Sequence, residues 1–299
     1  MRSSRTSNKK KTKKNKSDIT FNKNKTNKSE KNKDNHNINT NSLLRRIIDG
    51  ETYGNTTSLS GSSNTNLFDS QTQLTQRKDR FWHALKEKYH YDSSIKRGQD
   101  FLLKHVNSKV ELVVMYADLV GSTKMSMTLP AEKMVTIIHA FSYELASVIE
   151  SHDGYVLKYS GDAVISFFPS SFNKLLVCDK SVQCGKSMIE IIIKGLNPIL
   201  KEYDYPELAV KIGIDEGENV VVQYGNDKSS PIDILGYCMN VTSKITSLTR
   251  ANKVSVGENV FKLLHPRTQP SFIQVATDEQ NWKYINRENG NLYKLYTLR

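Results

Sequence analysis

Three cysteines, Cys178, Cys184 and Cys238, are all that the 299-residue sequence contains, and no two stand in a C-x-x-C pair. That odd, scattered set excludes a disulfide framework and a cysteine-rich zinc site, and leaves reduced core thiols. Long apolar runs are missing as well: nothing approaches the roughly 18 consecutive apolar residues of a membrane-spanning helix. The basic N-terminal stretch lacks the apolar centre of a secretory signal, so a cytoplasmic location is expected. No internal repeat is visible.

Apolar side chains are scarce at the start, where Ile19, Phe21 and Ile38 are almost alone after Met1. Residues 1–40 hold thirteen Lys or Arg against three acids, a net of +10 out of the chain's +12, so the remainder is near neutral. Such a stretch cannot bury enough surface to offset the entropy of ordering it, and disorder is expected. Its charge suits nucleic acid or an anionic membrane surface, and equally a solubilising tail with no specific partner. A short apolar patch, Leu43-Leu-Arg-Arg-Ile-Ile48, is followed by a Ser/Thr/Asn/Gly linker, so residues 1–75 read as tail and linker. Between 76 and 107, Phe81, Trp82, Leu85 and Tyr89, then Ile95, Phe101, Leu102 and Val106, recur at helical spacing. This stretch is too short for its own core and reads as a helical lead-in that packs on the domain at 108–299, or on a second copy of it. A membrane-surface helix is the alternative, against which acidic Asp79 and Glu87 count.

What the chain does have is a pair of carboxylates in special settings. The apolar run Glu111-Leu-Val-Val-Met-Tyr116 predicts a buried strand ending at Asp118. Gly121 then offers unusual backbone angles, and the hydroxyls of Ser122 and Thr123 suit the cap of a following helix, whose N-terminus favours an anion. A second acid, Asp162, stands in Ser160-Gly161-Asp162 between two apolar runs, the pattern of a β-hairpin with an acid at its tip. A hairpin beside the first strand sets Asp118 and Asp162 across a gap suited to two hard divalent cations, Mg²⁺ or Mn²⁺. From there the expected order is a helix over about 130–151, the hairpin, a helix over about 172–203, a strand at Leu208–Ile214, and a short strand at Val220–Gln223. A helix over about 236–248, a strand at Lys253–Val256 and further short pieces to the end complete it. The class is α+β, with a ferredoxin-like, palm-like antiparallel sheet and flanking helices.

The D-L-V-G-S-T element, the K-Y-S-G-D hairpin, Lys211-Ile-Gly-Ile-Asp-Glu-Gly217-Glu218, and Asp233-Ile-Leu-Gly236-Tyr-Cys-Met-Asn240-Val-Thr-Ser-Lys244 together resemble the class III nucleotide cyclase catalytic domain, in its order and near its spacing. The resemblance implies that Asp118, Asp162 and the Leu119 carbonyl hold two metals, and that Gly121, Ser122 and Thr123 cradle the triphosphate. It places Lys158 and Asp233 as the base-reading pair, a donor and an acceptor that fit adenine better than guanine. Asn240 would orient the ribose. Lys244 stands where the family carries an Arg on the α-phosphate, keeping the charge but losing the planar fork. Arg250, six residues on, cannot take that place on a regular helix, and Lys283 or Lys294 corresponds to the family's lysine on the terminal phosphates. In the family the metal acids come from one subunit and the other residues from its partner, which implies a homodimer. The implied function is an adenylate cyclase making cyclic AMP and pyrophosphate from ATP. The alternatives are a degenerate nucleotide-binding module, a guanylate cyclase, or another two-metal nucleotidyl transferase. Against a diguanylate cyclase, the tip reads S-G-D-A-V rather than G-G-D-E-F.

Overall fold

A computed structural model describes residues 92–225, 227, 230–277 and 282–299. The basic tail, its linker and the first helical piece around Phe81–Tyr89 lie outside the described residues.

The strand expected before Asp118 is β1 (Lys109–Leu119), and its alternation organises the core. Val113, Met115, Ala117 and Leu119 point to one face, where they meet α3 (Ala131–Ser151) and α4 (Lys174–Glu190). Leu112, Val114 and Tyr116 point to the other, and Asp118 continues that row. The flanking partners are the hairpin β2 (Tyr155–Ser160) and β3 (Ala163–Pro169) on one side and β4 (Val210–Gln223) on the other, all antiparallel. The full order is β2-β3-β1-β4-β6-β8-β7, where β6 is Lys253–Gly257, β7 Phe272–Val275 and β8 Leu295–Leu298. Strand β5 (Ile232–Leu235) pairs the far end of β4, and β6 runs parallel to β4. This is the expected α+β architecture with an antiparallel centre.

The lead-in contributes α1 (Asp92–Leu103), which places Leu102 in the second face's core. On that same face lies α6 (Tyr237–Leu248), seated directly on β4: a Cβ at Gly213 would lie 2.2 Å from Thr246 Oγ1. All three thiols are free and buried, and burial pushes those of Cys178, Cys184 and Cys238 up.

Three elements differ from the sequence reading. The strands expected at 208–214 and 220–223 are one 14-residue strand. The polar Asp215-Glu216-Gly217, which reads as a break, is carried through because the ladder with β1 runs unbroken from Val210 to Val220. The helix expected to 203 passes through a π-helical stretch, Ile191–Leu196, before α5 (Asn197–Glu202), where Pro198 lacks an N–H for a regular ladder. Finally, α2 (Ser122–Thr128) is not capped by hydroxyls: Gly121 is its N-cap at φ 75°, and Ser122 and Thr123 lie inside the first turn.

Candidate active site

β1 and the β2–β3 hairpin bring the two predicted metal acids to one end of the sheet. Asp118 is in register with Ala163, the residue after Asp162, and the Leu119 N–H donates to the Asp162 carbonyl at 3.4 Å. The two-residue tip is allowed by Gly161 at φ 63°, a left-handed backbone that favours glycine. Asp118 Oδ2 lies 2.8 Å from Lys211 Nζ, its cross-strand neighbour on β4. Lys211 belongs to a motif quoted from the sequence, yet no role followed from it there, because only the strand register sets it beside Asp118.

The donor set fits Mg²⁺ or Mn²⁺. Two carboxylates and a backbone carbonyl are hard oxygen ligands, and Mg²⁺ is commonly held by one or two carboxylates with substrate phosphates completing its shell. Among the described residues no group of three or more His, Cys, Asp or Glu converges as a metal set.

Lys158 and Asp233, 75 residues apart in sequence, form an ion pair. Asp233 is the more buried partner, and its other oxygen accepts from the Ile234 N–H at 2.9 Å. Tyr116 belongs to the same neighbourhood and was missed by the sequence reading. Its phenol is pushed up to about 12, chiefly by burial and then by the negative charge of Asp233. The signal was available in the alternation of β1, which places Tyr116 on the face of Asp118.

Asn240 and Lys244, one turn apart on α6, line a pocket of about 450 Å³ with Tyr237, Ser243, Ser247 and Tyr284. Tyr237 fixes its wall: the hydroxyl donates to the Ile285 carbonyl at 2.8 Å and accepts from the Ile285 N–H at 2.9 Å, and Arg287 stacks 4.3 Å above the ring. None of Asp118, Asp162, Lys158 or Asp233 lines this pocket. Arg250 lines a different groove, beside Lys253 and Arg299. Lys283 and Lys294 are exposed, and neither reaches the Asn240–Lys244 pocket. In one chain neither the metal acids nor the Lys158–Asp233 pair therefore shares the α6 pocket.

A buried acid that the sequence reading passed over lies on β4. Asp215 accepts from the Tyr293 hydroxyl at 2.8 Å, and burial raises its carboxyl to about 8, against the lowering effect of that hydrogen bond.

The sequence is 25% identical over 201 residues to a cytidylate cyclase of Escherichia coli, covering 62% of this chain and 43% of that protein. It is 25% identical to a uridylate cyclase of Xanthomonas perforans, covering 64% of this chain and 81% of the other. With adenylate cyclase 1 of Rhizobium meliloti the identity is 21%, over 49% of this chain and 22% of that one. This chain thus spans well under two thirds of the cytidylate and adenylate cyclases it resembles. Among solved structures, the guanylyl cyclase Cya2 matches with a TM-score of 0.55 at 20% identity, covering 64% of this chain and 93% of that one. The adenylyl cyclase CyaB from P. aeruginosa matches with 0.54 at 20% identity, over 64% and 95%. Residues 105–296, which hold both carboxylates, the Lys–Asp pair and α6, match the adenylate and guanylate cyclase catalytic domain, and the chain belongs to that family.

Proposed function

We propose that this chain cyclises a nucleoside triphosphate whose base presents an amino group beside an acceptor ring nitrogen, releasing pyrophosphate. The observation that carries this reading is the Lys158–Asp233 pair: a donor and an acceptor side by side, each from a different strand, in a domain of this family. Adenine offers N1 as acceptor and its exocyclic amine as donor. Cytosine offers N3 and its amine in the same relation, so the pair fits both, whereas guanine and uracil present a carbonyl beside a ring N–H. ATP, giving cyclic AMP, is the reading of the residues. CTP is the second reading, favoured by the cytidylate cyclases among the relatives.

The 3′ oxygen of the ribose, giving up its proton to solvent, attacks the α-phosphorus, the bond from that phosphorus to the oxygen it shares with the β-phosphate breaks, and pyrophosphate leaves with the electron pair. In this reading Asp118, Asp162 and the Leu119 carbonyl hold the two divalent cations, whose chemistry is activation of the 3′ hydroxyl and neutralisation of the leaving phosphates. The Gly121–Thr123 turn receives the triphosphate, Asn240 orients the ribose, and Lys244 faces the charge that grows on the α-phosphate. Because the α6 pocket and the metal acids stand apart in one chain, the complete site is assembled between two copies in a homodimer. The test is incubation of the purified protein with Mn²⁺ and each of ATP, CTP, GTP and UTP, with mass detection of cyclic product. Turnover of ATP or CTP well above GTP and UTP supports the proposal; a GTP or UTP preference defeats the base reading, and no cyclic product from any of the four defeats catalysis.

A further inference from the structure

Helix α1 is tied to both strands that carry the base-reading pair. On the β2 side, Gly98 approaches so closely that a Cβ there would lie 2.2 Å from the Val156 carbonyl oxygen, which seats the helix two residues before Lys158. Arg97 donates to the Gly154 carbonyl at 3.0 Å and lies 4.4 Å above the Tyr155 ring. On the β5 side, Gln99 commits its whole amide to one residue. Its Nε2 donates to the Ile232 carbonyl at 3.0 Å, and its Oε1 accepts from the Ile232 N–H at 3.0 Å. That is the pairing a neighbouring strand gives to a sheet edge. Asp233 follows immediately, held on the β4 side by its register with Val222.

This link matters because no ladder sets the distance between Lys158 and Asp233. In the sheet, β3, β1 and β4 intervene between β2 and β5, so small shifts in three pairings separate them. Gly98 and Gln99 are adjacent residues of one helical turn, and through them a rigid element spans the two strands directly. We infer that α1 positions the base-reading pair, with Gln99 as a positioning residue that holds Asp233 through Ile232 and so sets nucleotide selectivity. The inference rests on the proposed reading of Lys158 and Asp233 as the groups that contact the base.

The experiment uses the full chain with Gln99→Leu, which removes both hydrogen bonds at similar volume, and the milder Gln99→Glu, which keeps only the acceptor. Lys96→Ala, on the exposed side of the same helix, is the control. For both Gln99 variants the KM of the preferred triphosphate is expected to rise by about three- to tenfold, the scale of a lost hydrogen bond. The ratio of preferred to disfavoured triphosphate in kcat/KM should fall by a similar factor, with kcat changed by less than about twofold. Dissociation constants for the four triphosphates give the same ratio without turnover. Folded Gln99 variants that keep the wild-type ratio, even with a lower melting temperature, overturn the inference, since the bonds would then only hold the helix down. Should Gln99→Leu fail to fold, Gln99→Glu decides alone. Asp233→Ala separates the two levels: a flattened ratio there beside unchanged Gln99 variants overturns this inference only, whereas an unchanged ratio there removes the base-reading pair itself.

Discussion

Lys244 occupies a position from which an ammonium, rather than a guanidinium, faces the α6 pocket, and the consequence is kinetic. A contact that strengthens only as charge grows on the α-phosphate raises kcat and leaves ground-state binding nearly unchanged. Lys244→Ala is therefore expected to lower kcat by about 10²- to 10³-fold, the scale of losing one such donor. Its KM should scarcely move, and Lys244→Arg should keep or raise the rate because a planar fork reaches two oxygens. Steady-state kinetics on the three proteins decide it; an unaltered kcat in Lys244→Ala makes the residue a bystander on the helix. Asp215 has a different consequence, for stability. Its carboxyl holds a proton up to about pH 8 in the folded state, whereas the unfolded chain releases it near about pH 4. Between those values the folded state binds the extra proton, so this group's contribution to stability falls as pH rises through the window and levels off above it. Melting temperatures measured from pH 5 to 8 should decline in the wild type, and Asp215→Asn should remove that part of the slope; an identical slope in both would acquit Asp215.

At the scale of elements, the site depends on how closely α6 lies on β4. The contact is set by Gly213, where a Cβ would meet Thr246 Oγ1 at 2.2 Å and the Thr246 backbone nitrogen at 2.6 Å. The nitrogen cannot rotate away, so Gly213→Ala must lift the helix. A stability loss of about 3 kcal/mol, the upper end of overpacking, is expected in chemical denaturation, with cyclisation lost as Asn240 and Lys244 move. Gly185 is the contrast, inside α4 with only the Val254 Cγ2 at 3.1 Å as its nearest obstacle. There the gain in helix propensity, up to about 1 kcal/mol, opposes the crowding, and Gly185→Ala should be close to neutral. Equal losses at both positions would show that the α6–β4 approach is not special. The continuity of β4 belongs to this scale too: it carries Lys211 to Asp118 at one end and pairs with β5, which bears Asp233, at the other.

For the whole molecule, the separation of the two acids from the α6 pocket within one chain leads to a prediction about assembly. Asp118→Ala and Asn240→Ala proteins should each be inactive alone, yet their mixed dimer should regain activity, because one of its two sites keeps both intact halves. Silence from a demonstrably mixed dimer would place the whole site within a single chain. Among the described residues no helix is long and apolar enough to cross a membrane.

Much of this protein was legible in its residues because the signals are local. The apolar run Glu111–Tyr116 marks β1, a glycine before an acid marks the hairpin tip, and one turn of helix joins Asn240 to Lys244. The division of charge, +10 of +12 in residues 1–40, needs no structure at all. What only the tertiary structure decided are matters of register and distance between remote segments. That Asp215-Glu216-Gly217 continues a strand follows from its pairing with β1, which overrides a polar stretch that reads as a break. Lys211 beside Asp118, Tyr116 near Asp233, and Gln99 bonded to Ile232, 133 residues away, exist because antiparallel pairing and helix docking bring them together. Local propensity carries no term for such contacts, because their energy depends on where the rest of the chain has already folded.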